Sequence, residues 1–327
     1  MIDLNFINNS VALIDRNHGL LSITGDDRLR FLHNQSTNNI QGLKVGEGCD
    51  TVLVNSTGRN IDLVSAYIQE NQVLLLVSPH QNKSLYDWLD RYIFPFDKVA
   101  IKDVTKDYKI FTIVGEKSQE LLSEWVENEF LNSPEFSHKI VNIEDIEVII
   151  TVGCNLKLTG YNLIIPQEKA PQIWDKLTAK NPLLLTDEDY QTLEIMQGKP
   201  RVNHELMEEY NPLESGLWDA ISFNKGCYIG QETIARLNTY KGVKQKLWGI
   251  KLKGSIEPEK DNIIMVEGEK VGKITSYLPE ANFALGYIRT KAGDIGLKVT
   301  ISEVEGEVIN IPFIRHEYYQ PNSQNDS

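Results

Sequence analysis

Residues 225–232 read K-G-C-Y-I-G-Q-E and hold one thiol, Cys227, flanked by Gly226 and Gly230, with Lys225 just upstream. Glycines on both sides let the backbone take turns that other residues resist, which puts the cysteine on an exposed elbow. The run from Gln231 to Leu237 has helix-forming composition and starts directly after Gly230. Cys227 is thus expected just ahead of a helix N-terminus. The positive end of that helix dipole and the Lys225 ammonium both favour thiolate over thiol, making the sulfur a candidate nucleophile or metal ligand. Taken on the thiol alone, the commoner state of such a cysteine is a small, apolar-behaving side chain in a tight turn.

Other chemistries lack their residues. There is no G-x-x-x-x-G-K-[ST], no G-x-G-x-x-G after a strand and no G-x-S-x-G, so nucleotide loops and serine hydrolysis find no support. The six histidines show no metal-ligand spacing, and no protein-only metal site is expected. Cys49, Cys154 and Cys227 lie far apart and form no C-x-x-C pair, which argues for a reducing, cytoplasmic compartment and against a disulfide framework. Three scattered thiols also fall short of the four that a resident iron-sulfur cluster takes. The net charge of −13 repels a phosphate backbone, so no direct nucleic-acid binding is expected. A local basic group, Arg236, Lys241, Lys244 and Lys246, reads either as an attractor of an anionic ligand or as a solvated surface.

The elements that must position the elbow read as α+β. At 327 residues with 41% hydrophobic side chains the chain supports two or three domains. No apolar run approaches a membrane span, 73–77 being among the longest, and residues 1–5 carry no signal-peptide pattern. Strands are expected over 61–68, 73–77, 109–114 and 147–152, with helical stretches at 119–127 and 172–178. Ser78-Pro79 reads as a helix start, followed by Leu85, Trp88, Leu89, Tyr92 and Ile93 on one face. Thr186 with Asp189 three residues on marks a second helix, ending before Gly198. After Val243 short strands at 247–252, 263–266, 270–277, 284–288, 298–301 and 308–314 alternate with glycine turns, among them Gly286 and Gly306, as in a small antiparallel barrel. The expected divisions are 1–242, a barrel over 243–317 and a mobile tail over 318–327.

The octapeptide resembles the signature of the YgfZ family, folate-binding relatives of the glycine cleavage T-protein that serve iron-sulfur cluster assembly or repair. Lys225, Gly226, Cys227, Tyr228, Gly230, Gln231 and Glu232 carry the match. The resemblance runs over nearly the whole chain. Residues 21–32 are similar to the family's opening strand, glycine turn and first helix, 57–63 to the turn and strand bordering the folate cavity, and 211–217 to the loop leading into the octapeptide.

That resemblance implies a T-protein-like folate-binding body with a C-terminal antiparallel β-barrel, and tetrahydrofolate or a derivative as cofactor. It implies Cys227 as the functional thiolate and Lys225 as its electrostatic partner. Asp62 is implied as the acid meeting the pterin, with Tyr190, His18 and Arg236 near the folate cavity. The residue-level alternatives are a strand-end acid satisfied by backbone for Asp62 and core packing for Tyr190. Partners would be iron-sulfur client or carrier proteins, with any effect on tRNA modification indirect. A competing reading is a tetrahydrofolate-dependent aminomethyltransferase or demethylase of the T-protein type. Against it, Thr159-Gly160-Tyr161 starts like that group's T-G-Y-T-G-E segment, yet 162–165 read N-L-I-I and the acid is missing.

Overall fold

The computed structural model describes residues 7, 9–257 and 262–320. The expectations for residues 1–5 and for the tail beyond 320 lie outside the described residues. The chain forms two compact units, one of residues 1–35, 39–51 and 63–197, the other of 36–38, 52–62 and 198–327. Val243, where the sequence changes character, lies within the second unit and just precedes the first barrel strand, Gln245–Leu252.

In the first unit a six-stranded sheet runs in the order Leu183–Leu184, Ala12–Arg16, Tyr108–Val114, Gly160–Pro166, Ile146–Val152, His138–Ile143. Side chains alternate across it with period two. Phe111, Ile113, Leu163 and Ile165 enter one apolar cluster together with Ile173 and Leu177 of the helix Ala170–Thr178. Their neighbours Ile110 and Ile164 enter another, with Leu20, Leu74 and Leu76. Those three belong to the strands Gly19–Thr24 and Gln72–Val77 of a five-stranded sheet. A sheet covered on both faces needs nearly continuous apolar strands, which is why L-I-I stands at 163–165, while the buried Asn162 is hydrogen-bonded to Thr112, Thr151 and Asn155. Ile164 is 1% exposed in that sheet-on-sheet core, so a carboxylate there would be buried in hydrocarbon.

In the second unit six strands close an antiparallel barrel in the order Gln245–Leu252, Phe283–Arg289, Glu269–Leu278, Ile263–Val266, Lys298–Ile301, Val304–Ile309. Trp248, Ile250 and Leu252 face its interior with Ala284, Ile288, Val299 and Ile301, again at period two. The α+β body and the C-terminal barrel are both present.

Several local expectations need correction. The strand expected at 308–314 is Val304–Ile309, and Pro312, which cannot donate to a ladder, lies beyond it. Gly286 and Gly306 sit inside strands rather than turns. A Cβ on Gly286 would lie 2.8 Å from the Lys273 oxygen and one on Gly306 2.9 Å from Leu252, so close approach, not turning, requires these glycines. The helix expected from Pro79 starts at Asn82, because His80 takes φ 63, outside helical space. It ends at Asp90, leaving Tyr92 and Ile93 in the turn that follows. The stretch 119–127 is helical only over Ser118–Leu122. By contrast the Thr186 cap forms as expected: its hydroxyl accepts from Asp189 N at 3.2 Å, and the Asp189 carboxylate accepts from Thr186 N at 3.0 Å.

Candidate functional site

The octapeptide folds as an elbow before the helix Gln231–Thr239. Gly230 is its N-cap with φ 78, a left-handed state that glycine enters without steric cost. Position also demands glycine there: a Cβ would lie 2.7 Å from the Asn55 oxygen and 2.8 Å from Gly58 Cα. The elbow therefore packs backbone to backbone on the turn 55–58. In that turn the Asn55 side chain accepts from Thr57 N and Arg59 N at 3.0 and 3.1 Å.

Lys225 is buried, and its ammonium donates to the main-chain oxygens of Ser36 at 2.6 Å and Asn38 at 2.8 Å. It also lies 4.7 Å from the Tyr228 ring centre, a cation-π distance. Burial raises the Tyr228 hydroxyl above the ordinary phenol range, so the ring stays neutral beneath the cation. The Gln231 amide reaches back to the Gly226 oxygen at 3.4 Å, and Gln231 N donates to the Tyr228 oxygen at 3.2 Å. Glu232 and Arg236 are exposed on the helix. Cys227 is exposed, Cys49 half-buried and Cys154 buried.

The turn at 55–58 leads into the strand Asn60–Ile68, where Asn60 and Asp62 share a face. Asp62 is completely buried. The Asn60 amide nitrogen donates to Ser215 Oγ at 2.8 Å, whereas its buried Oδ1 has no hydrogen-bond partner among the described residues. Ser215 pairs with the Tyr287 hydroxyl at 2.6 Å, and Tyr287 stacks on Tyr210 with centres 3.5 Å apart. A buried acid and an unsatisfied amide oxygen on one strand face are acceptors suited to the adjacent N–H donors of a pterin. Asn60 was missed in the sequence; its signal was a polar residue two positions before the candidate acid.

The loop 211–217 is held by its own side chains. Asn211 Oδ1 accepts from the backbones of Leu213 and Glu214 at 3.1 Å each. Burial pushes the Glu214 carboxyl up, countered by Asn211 N at 3.1 Å and the Arg59 guanidinium at 3.6 Å.

His18 and Tyr190 belong to the first unit, where one residue joins them. The Arg16 guanidinium stacks over the Tyr190 ring at 4.5 Å and contacts His18 Nε2. It donates to Asn155 Oδ1 at 3.1 Å, and the Tyr190 hydroxyl donates to the Cys154 oxygen at 2.8 Å. Tyr190 is buried among Ala12, Ile14 and Leu193, and burial raises its hydroxyl well above the usual range. Arg16 was also missed. Its signal was a charged residue on the same strand face as Ala12 and Ile14, both fully buried.

Comparison with known proteins gives one consistent answer. A family model described as "GCVT N-terminal domain" matches residues 3–225. A chloroplastic protein of Arabidopsis thaliana, named a putative transferase, is 40% identical over 99% of this chain and 76% of its own length. An aminomethyltransferase of Caldanaerobacter subterraneus is 26% identical over 97% of this chain and 87% of its own. The crystal structure of glycine cleavage system aminomethyltransferase T from Bartonella henselae superposes with a TM-score of 0.80 at 16% identity, covering 95% of this chain and 88% of that one. At that identity the likeness shows the fold. Among the described residues no helix is long and apolar enough to cross a membrane.

Proposed function

This chain belongs to the GCVT N-terminal domain family, and from that premise we propose that it binds tetrahydrofolate or a derivative and supports assembly or repair of iron-sulfur clusters through the Cys227 thiolate. The observation that carries this reading is the elbow itself: Cys227 is exposed while Lys225, Gly230 and Gln231 hold the backbone around it. In this reading Asp62 and Asn60 meet the folate ring, with His18, Tyr190 and Arg236 as further contacts. The folate supplies a one-carbon carrier; the chain's part is to bind and orient it. At the elbow the thiolate replaces one thiolate on an iron of a client or carrier cluster. The Cys227 proton passes to solvent, the displaced thiolate leaves, and no iron changes oxidation state. Such chemistry calls for a reducing compartment, and we place the protein in the cytoplasm.

Complementation tests the reading in cells lacking the native protein. Cys227→Ser keeps size and hydrogen bonding but removes the thiolate, and is expected to fail to restore iron-sulfur enzyme activity under oxidative stress. Full rescue by Cys227→Ser would remove the thiol from the mechanism. The competing aminomethyltransferase reading has no use for Cys227, and the acid of its T-G-Y-T-G-E segment is missing from 162–165.

A further inference from the structure

A cleft of about 480 Å³ in the first unit is lined by Arg16, His18, His80, Lys106 and Lys109 and by no carboxylate. Its volume falls within the range of small-molecule sites. A cleft whose titratable walls are so one-sided is unexpected in a chain of net charge −13. We propose that this cleft binds a small polyanion bearing phosphoryl or carboxylate groups.

Three observations carry it. Arg16 is 4% exposed, and its Nε has no hydrogen-bond partner among the described residues, although the rest of its guanidinium meets Thr112, Asn155 and His18. A buried, incompletely satisfied guanidinium beside an open cleft gains most from an anionic oxygen. Second, the lysines differ. Lys109 is paired with Asp15 at 2.8 Å, whose carboxylate offsets its field, whereas Lys106 is exposed. Third, His80 holds φ 63, an uncommon backbone state for a residue other than glycine, on the wall facing the same cleft. The Asn17 and Asn82 amides at the cleft donate to acids that are not among its lining residues, Asp187 at 2.6 Å and Asp103 at 2.7 Å. Of the residues in the folate reading, His18 also lines this cleft, whereas Asp62 and Asn60 belong to the other unit.

Calorimetric titration of the full chain with pyrophosphate and, separately, citrate at about 50 mM salt tests the site. Saturable one-to-one binding of either probe is expected, weakening as salt rises. Pyrophosphate alone identifies a phosphoryl ligand, citrate alone a polycarboxylate, and both support the site. Lys106→Glu and His80→Ala, both at exposed positions, are each expected to weaken binding by about fivefold or more, and Arg16→Lys, which keeps the charge but removes the Nε–H, by about tenfold. Absence of saturable binding of both probes, or binding indifferent to Lys106→Glu, overturns the proposal.

Discussion

The Lys225 ammonium donates to the Ser36 main-chain oxygen at 2.6 Å across 189 positions of sequence. With Asn38 accepting from the same amine at 2.8 Å, one side chain ties the elbow to the segment 36–38. The lysine expected from the sequence to act on Cys227 through its charge is a tether in the structure. Lys225→Ala would lose two charge-assisted hydrogen bonds, and we expect it to cost about 2 to 3 kcal/mol of stability. Urea unfolding measures this. A loss below about 0.5 kcal/mol would show that the tether contributes nothing.

Thiol accessibility follows the same geometry. With Cys227 exposed, Cys49 half-buried and Cys154 buried, iodoacetamide at neutral pH is expected to modify Cys227 first and Cys154 last. Mass spectrometry of the native protein reads the order. Equal rates at all three positions would leave Cys227 as an ordinary turn cysteine.

Much of this was legible beforehand, because period-two apolar strands and glycine spacing are local signals. The barrel strands Ile263–Val266 and Lys298–Ile301 appear where the pattern puts them, and the Thr186 cap forms because both its partners lie within one turn. What escaped depends on distant partners. Gly306 reads as a turn until Leu252 is seen against it, and Lys225 reads as a free charge until Ser36 and Asn38 are seen around it. Arg16 and Asn60 were hidden for the same reason: their roles come from Tyr190, Asn155 and Ser215, none near in sequence.

Gly230 offers a test of the elbow's geometry. Gly230→Ala would force a side chain into φ 78 and against backbone atoms of Asn55 and Gly58 that have no rotamer to give. Strain of about 1 kcal/mol from the dihedral adds to a larger cost of displacing the turn, for a total of about 3 kcal/mol or more. Thermal unfolding should show a clear drop in Tm. An unchanged Tm would mean that the elbow and turn separate freely.

Acid should weaken the protein through His316. Its ring packs on Trp248 with centres 4.5 Å apart, Nε2 meets the Leu247 oxygen at 2.8 Å, and burial pushes its pKa down from 6.5 to about 4. Below pH 6.5 the unfolded chain takes a proton that the native state refuses until about pH 4. Stability is therefore full above 6.5 and is lost as pH falls through that window, by about 2 to 3 kcal/mol for this group. Burial lowers His138 as well, so the same direction is reinforced. Urea midpoints at pH 7.5 and 4.5 should differ less in His316→Gln than in the native protein. Identical differences would assign the acid sensitivity elsewhere.

Asp62 and Cys227 should separate cleanly in binding assays. Asp62 is fully buried on the strand face it shares with Asn60, so in the folate reading Asp62→Ala removes an acceptor that no solvent replaces. Tetrahydrofolate affinity is then expected to fall by about 1.5 to 3 kcal/mol, roughly ten- to hundredfold. Cys227→Ser, exposed on its elbow, should bind folate as the native protein does. Asp62→Asn adds a control: it keeps volume and one acceptor oxygen but loses the charge, and should fall between the two. Fluorescence titration against each variant reads all three affinities. Undiminished binding by Asp62→Ala would place the folate elsewhere, and methylene transfer by purified protein, indifferent to Cys227→Ser, would establish an aminomethyltransferase.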